Sequence, residues 1–202
     1  MGKTRIEIMT DNFPYEALTE LLHVCYKEHL DAGRNYLAAT QTVEDTKRRL
    51  EGRVCAVAYN EEGELVASIA GKRIKRDANS KKKWYEDADT LYIEQMAVRP
   101  DYRKTNLLVK LILHANKIDW VKKVDSWMTD TSAEADALVS AYLKMGFQIV
   151  DMVSWETTNY YSYVFRKPLN GKKYSDRYVK FRFFFHKLAC QIKYTKEGKK
   201  RF

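Results

Sequence analysis

Between a strand-like run ending at Val98 and an apolar, helix-periodic run starting near Leu107 lies Arg103-Lys104-Thr105-Asn106-Leu107-Leu108. A helix that starts near Asn106 leaves its first N–H groups without intrahelical acceptors, and its macrodipole adds positive potential at the same end. Such an end can hold a phosphate or pyrophosphate, and Arg103 and Lys104 place two cations at its mouth.

Other chemistries find less support. Cys25, Cys55 and Cys190 are odd in number and widely spaced in apolar surroundings, which argues against a disulfide framework or a zinc site and for buried or partly buried thiols. His23 and His29 flank Cys25, but a helical pattern there gives the thiol a packing role rather than a nucleophilic one. The four histidines have no metal-like spacing, and all fall on predicted helices. Gly71 and Gly146 read as turn and cap residues, because neither G-x-G-x-x-G nor a Walker loop is present. No metal or second cofactor is implied.

The elements that must position the turn follow from periodicity. "RIEIM" (5–9) reads as a strand, and 14–30 as a helix with Pro14 at its first position and Leu18, Leu21, Leu22, Cys25 and Tyr26 at helical spacing. Residues 42–51 read as a second helix capped by Thr42, with Asp45 three residues on. A hairpin follows around Asn60-Glu61-Glu62-Gly63, then a charged loop, a strand over 90–98 and one long helix over 106–124. Strand 125–129, helix 134–146 and a closing pair of strands over 147–157 and 160–169 complete the body. This alternation predicts an α/β fold, a mixed sheet with helices on both faces.

Taken together, "IEQMAVRPDYRKTNLLVKLI" and the later "AYLKMGF" resemble the GNAT superfamily of N-acetyltransferases. The family's signature runs V-x-P-x-Y-R-x-x-G-x-G/A at a strand-to-helix turn and Y-x-K-x-G-F on a following helix. Val98, Pro100, Tyr102 and Arg103 match the first part, and Tyr142, Lys144, Gly146 and Phe147 the second. Asn106 and Leu108 stand where the family has its glycines. The element order over 5–169 fits as well, so the resemblance implies a GNAT-like, mainly antiparallel central sheet over a domain of residues 1–171.

The resemblance implies acetyl-CoA as acyl donor, with its pyrophosphate at Arg103, Lys104, Thr105, Asn106, Leu107 and Leu108. It implies that the strand before the turn lends backbone amides of Met96, Ala97 and Val98 to the acyl carbonyl. Tyr142 is then the residue expected to protonate the departing sulfur. Glu94, the one acid in "LYIEQMAV", is the candidate base toward the amine, directly or through water, with Asp130 in reserve. The expected acceptor is a primary amine of a small molecule, such as an amino sugar, attacked directly in a ternary complex. The rival expectation is a binding module that keeps the fold and has lost catalytic power with its glycines.

Net charge is +9, and residues 172–202 hold all of it: eleven Lys or Arg against two acids, which leaves 25 bases and 25 acids in 1–171. In this tail Tyr178, Phe181, Phe185, Leu188 and Ile192 recur on one face of a predicted amphipathic helix, with Val179, Phe183, Cys190 and Tyr194 off it. Aromatics among lysines suit an anionic membrane surface or self-association; no nucleic-acid motif accompanies the charge. With no signal-like or spanning apolar run, the expectation is a cytoplasmic protein, peripheral at the membrane through its tail.

Overall fold

The computed structural model describes residues 3–9, 11–75 and 89–169, together with Phe184, Phe185 and Leu188. The expected helix over the tail, the domain boundary at 171 and the charged loop before residue 89 lie outside the described residues, except that Phe184, Phe185 and Leu188 are helical and exposed. The chain is α/β; the described residues hold seven strands that pair mainly antiparallel, and the chain forms two compact units.

The first unit draws on residues 1–32, 36–73 and 91–124. It holds β1 (Arg5–Met9), α1 (Tyr15–Asp31), α2 (Val43–Leu50), β2 (Val54–Tyr59), β3 (Leu65–Ile74), β4 (Thr90–Val98), α3 (Leu107–Ala115) and α4 (Asp119–Lys122), with strand order β1-β2-β3-β4. Leu18 of α1 and Leu50 of α2 pack with Phe13 on Cys55, Val57 and Ala70 of β2 and β3. Leu21, Leu22 and Cys25 pack with Ala38 on Ala97 of β4. Helix α3 packs on β1 and β2. Cys55 and Val57 face α1 and α2, so the alternating β2 positions Val54, Ala56 and Ala58, also buried, face the other way. Leu22 is 1% exposed, and its truncation to Ala would cost about 2–5 kcal/mol.

Local signals explain the boundaries. Thr42 and Asp45 form a capping box at the start of α2: the Asp45 N–H donates to Thr42 Oγ1, and the Thr42 N–H to Asp45 Oδ2, each at 3.0 Å. The predicted hairpin turns through Gly63 at φ 82°, where a side chain would be strained. Pro14 is the residue before α1 rather than its first position.

Four further expectations need correction. The run 106–124 is two helices: after Ala115 the N–H groups of Lys117 and Ile118 bond back three residues, to His114 and Ala115, and Ile118 is extended before α4 begins. Beyond the tightened turn, Val121 of α4 and Val124 just after it are buried. Gly71 is no turn residue; it lies within β3, where a Cβ would come 2.7 Å from Leu91 Cδ1 and would have to displace that methyl group. The strand predicted over 125–129 runs on to Ser132, and the helix after it is shorter than predicted.

The second unit contains β5 (Ser126–Ser132), α5 (Asp136–Lys144), β6 (Gln148–Ser154) and β7 (Tyr161–Pro168), with strand order β5-β7-β6. Phe165 of β7, wholly buried, centres its core with Tyr142 of α5. Arg166 is 2% exposed; it donates from Nε to Ser126 Oγ at 2.8 Å and from Nη2 to Oγ1 of Thr90, the one residue of β4 that belongs to this unit, at 3.3 Å. Gly146 ends α5 at φ 85°, as its reading as a cap anticipates.

Candidate active site

In the first unit β4 alternates buried Leu91, Ile93, Gln95 and Ala97 with half-buried Tyr92, Glu94, Met96 and Val98. The alternation runs unbroken through Gln95, yet its φ of 49° is left-handed in the middle of a strand. A residue with a side chain holds that conformation only where its surroundings fix it. Here Ser68 Oγ donates to the Gln95 carbonyl at 3.2 Å, and Tyr26 of α1 donates its hydroxyl to the Met96 carbonyl at 3.0 Å. The second bond sets the plane of the next peptide. With the Met96 carbonyl turned to α1, the trans Ala97 N–H is directed the opposite way.

The chain leaves β4 through a single 3-10 turn, Pro100–Tyr102. Arg99 anchors it to the β2–β3 hairpin: its N–H donates to the Val66 carbonyl at 2.9 Å, and its guanidinium bonds Asp101 and Glu64. Thr105 Oγ1 donates to the Tyr102 carbonyl at 2.6 Å. Lys104 and Asn106 then adopt φ of 64° and 59°. Asn106 therefore keeps the left-handed geometry that glycine allows, because its short polar side chain is the one best tolerated there.

Asn106 is the N-cap of α3 and makes no side-chain capping bond, and the first turn contains no acid. The leading amides of α3 are thus left to whatever sits at the turn, which fits the pyrophosphate of acetyl-CoA. Lys104 is exposed beside them. Leu107 is buried and Leu108 half-buried, so Leu108 stands on the flank of the first turn, its side chain leaning toward the N-terminal mouth.

Arg103 is placed differently from the expectation. Its guanidinium turns to α1, donating from Nη1 to Glu28 Oε2 at 3.0 Å, from Nη2 to the Cys25 carbonyl at 3.2 Å and from Nε to the Val98 carbonyl at 3.3 Å. It binds the turn to the helix layer and leaves the positive charge at the mouth to Lys104 and the helix end. The Cys25 thiol nearby is pushed up by burial to about 11, so it stays protonated at neutral pH and is no nucleophile.

Glu94 sits in a cluster that sequence reasoning missed. Its Oε1 accepts a hydrogen bond from Arg53 Nε, and its Oε2 lies 3.9 Å from Arg49 Nη2. Arg53, just before β2, and Arg49, on the last turn of α2, are 41 and 45 positions away, and nothing in their own patterns singles them out.

The second unit holds the other two candidates. Tyr142 is 6% exposed, its ring 5.1 Å from that of Phe165 and 5.9 Å from that of Phe147. It is therefore a core residue by packing, whatever its hydroxyl does. Asp130 lies within β5, where Oδ2 accepts from Trp155 Nε1 at 2.9 Å.

The chain is similar to Arabidopsis thaliana NAA60 solved with a bisubstrate analogue: 19% identity, TM-score 0.58, covering 83% of this chain and 100% of that one. It is similar to the PaiA N-acetyltransferase of Thermoplasma acidophilum in complex with coenzyme A: 16% identity, TM-score 0.56, covering 81% and 99%. A GNAT-family acetyltransferase of Streptococcus pneumoniae matches at 14% identity and TM-score 0.52, over 82% and 99%. No curated protein matches. At these identities the structures speak for the fold alone. The acetyltransferase (GNAT) family model, however, matches residues 15–147, well over half of the chain, and the chain belongs to that family.

Proposed function

We propose that this GNAT acetyltransferase moves an acetyl group from acetyl-CoA to a primary amine of a small molecule, by direct attack within a ternary complex. The observation that carries the reading is the left-handed Lys104 and Asn106, which keep a phosphate-binding turn in shape without glycine, ahead of an uncapped helix. Acetyl-CoA, when bound, supplies a thioester carbonyl that an amine can attack.

The chain's own groups supply the rest. The amides of residues 104–108 hold the pyrophosphate, and Lys104 screens its charge. The N–H groups of Met96, Ala97 and Val98 serve the acyl oxygen, Ala97 best, since the Tyr26 bond has already aimed its peptide. Glu94 takes the amine's proton at Oε2, directly or through water, while Arg53 holds Oε1 and so fixes the rotamer. Tyr142 returns a proton to the leaving sulfur. Residues 172–202 are assigned, on their charge, to an anionic membrane surface or to self-association; among the described residues no helix is long and apolar enough to cross a membrane.

The test is calorimetric titration with CoA, followed by thiol release from acetyl-CoA in the presence of small amines. Binding and amine-dependent release are expected. Tyr142→Phe, which keeps the ring packing, is expected to lower kcat and leave donor affinity in place. No CoA binding at millimolar ligand sinks the enzyme reading and leaves a binding module.

A further inference from the structure

We infer that the acceptor amine carries a compact anionic group, a carboxylate or a phosphate, a few bonds from the reacting nitrogen, and that Arg49 and Arg53 receive it. This deepens the acetyl-transfer reading above and rests on it.

Two guanidinium groups face one carboxylate in the Glu94 cluster, and the side chains of Glu94, Arg53 and Arg49 are only 14%, 16% and 23% exposed. One positive charge is therefore in excess where water covers little of it. Arg49 Nη1 donates to Gln41 Oε1 at 2.6 Å, and Arg53 Nη1 to the Glu51 carbonyl at 3.0 Å. Each guanidinium has five N–H donors, so donors are left over on both.

Gln95 gives the independent observation. Because Arg49 fixes Gln41 Oε1, the Gln41 amide nitrogen must point the other way, and it donates to Thr46 Oγ1 at 2.6 Å and to Gln95 Oε1 at 3.4 Å. That in turn fixes the Gln95 amide, leaving its Nε2 as a donor. Gln95 is 5% exposed, and its Nε2 has no hydrogen-bond partner among the described residues. Buried donors are rarely left unpaired. The chain of bonds from Arg49 through Gln41 to Gln95 thus ends in an unspent donor, Gln95 Nε2. Donors of this kind, beside a guanidinium in excess of the one carboxylate, suit a group that only accepts and bears negative charge.

Spacing sets the size of the ligand. A strand rises about 3.3 Å per residue, so along the chain Glu94 lies at most roughly 7 Å from Met96, where the acyl carbonyl is assigned. A charged hydrogen bond of about 2.8 Å spans part of that distance. The remainder suits an anion a few bonds from the amine. Glu94 attracts the ammonium and the arginines the anion, so the site is complementary to a zwitterion.

The test uses the full chain, acetyl-CoA and three acceptor pairs: glycine and glycinamide, β-alanine and β-alaninamide, glucosamine 6-phosphate and glucosamine. Thiol release is expected to show kcat/KM at least about tenfold higher for the anionic member of one or more pairs, the range of one charged hydrogen bond. Which pair responds tells carboxylate from phosphate. Arg49→Gln is expected to reduce that preference by roughly ten- to hundredfold, mainly through KM. Amine basicity is the same for both proteins, so it cancels in this ratio. Should the variant fail to fold, the wild-type melting temperature serves instead: the preferred anion must raise it and its neutral counterpart must not. Equal use of both members of every pair, or equal losses on both in Arg49→Gln, overturns the inference while acetyl transfer stands. No thiol release with any of the six amines overturns both.

Discussion

Asn106 answers at the scale of one residue how the turn before α3 keeps a left-handed position without glycine. Its φ of 59° lies where a β-branched side chain is badly strained and Asn and Gly are not. Asn106→Gly should therefore leave CoA affinity within a few fold, whereas Asn106→Val should cost roughly 1–2 kcal/mol in urea unfolding and weaken CoA binding, with kcat moved less. Leu108 is the other departure, and it acts by bulk rather than by backbone conformation, since it lies within α3. Leu108→Gly should tighten CoA in calorimetry, less whatever the added backbone freedom costs; a weaker complex would show that the leucine does not obstruct the mouth. The identity of these two positions was legible in the sequence. The task of Arg103 was not, because its partners Glu28 and Cys25 are 75 and 78 residues away and only folding brings them to the turn.

At the scale of elements, most of the framework followed from periodicity and caps. Strand β4 was predicted at its observed bounds, and the Thr42–Asp45 box marks the start of α2 as the sequence suggested. Two features were hidden for physical reasons. A left-handed residue inside a strand, such as Gln95, leaves no mark on alternation, so its backbone turn is invisible until neighbouring bonds are seen. The break after Ala115 lies in the backbone bonds of Lys117 and Ile118, which reach back three residues, and helix propensity does not report such a change. The link between elements can be tested at Arg103, which ties the turn before α3 to the last turns of α1. Arg103→Met should remove three hydrogen bonds at once, lower stability by about 1–3 kcal/mol and weaken CoA, and Arg103→Lys should restore little of either, because an ammonium cannot span three acceptors as the planar fork does.

At the scale of the whole molecule, charge is divided unequally. Residues 1–171 balance 25 bases with 25 acids, so they have no electrostatic reason to seek an anionic surface, and the net +9 belongs to residues 172–202. If that charge serves a lipid surface, the full chain should sediment with vesicles containing phosphatidylserine and not with neutral ones, and deleting residues 172–202 should abolish this. Acetyl transfer to a soluble amine should persist in the shortened chain, because every assigned site residue lies before 171. Salt should weaken vesicle binding only in part: lysine attraction is screened over a Debye length of about 8 Å at physiological ionic strength, while burial of aromatic side chains is not. Phe183→Ser with Tyr194→Ser should accordingly weaken binding at every salt concentration. Self-association makes the opposite claim, namely that the same pair of changes alters the sedimenting mass in solution and leaves vesicle binding as it was. A shortened chain that cannot be recovered in soluble form would show that residues 172–202 complete the hydrophobic core, and the lipid assignment would fall with that result.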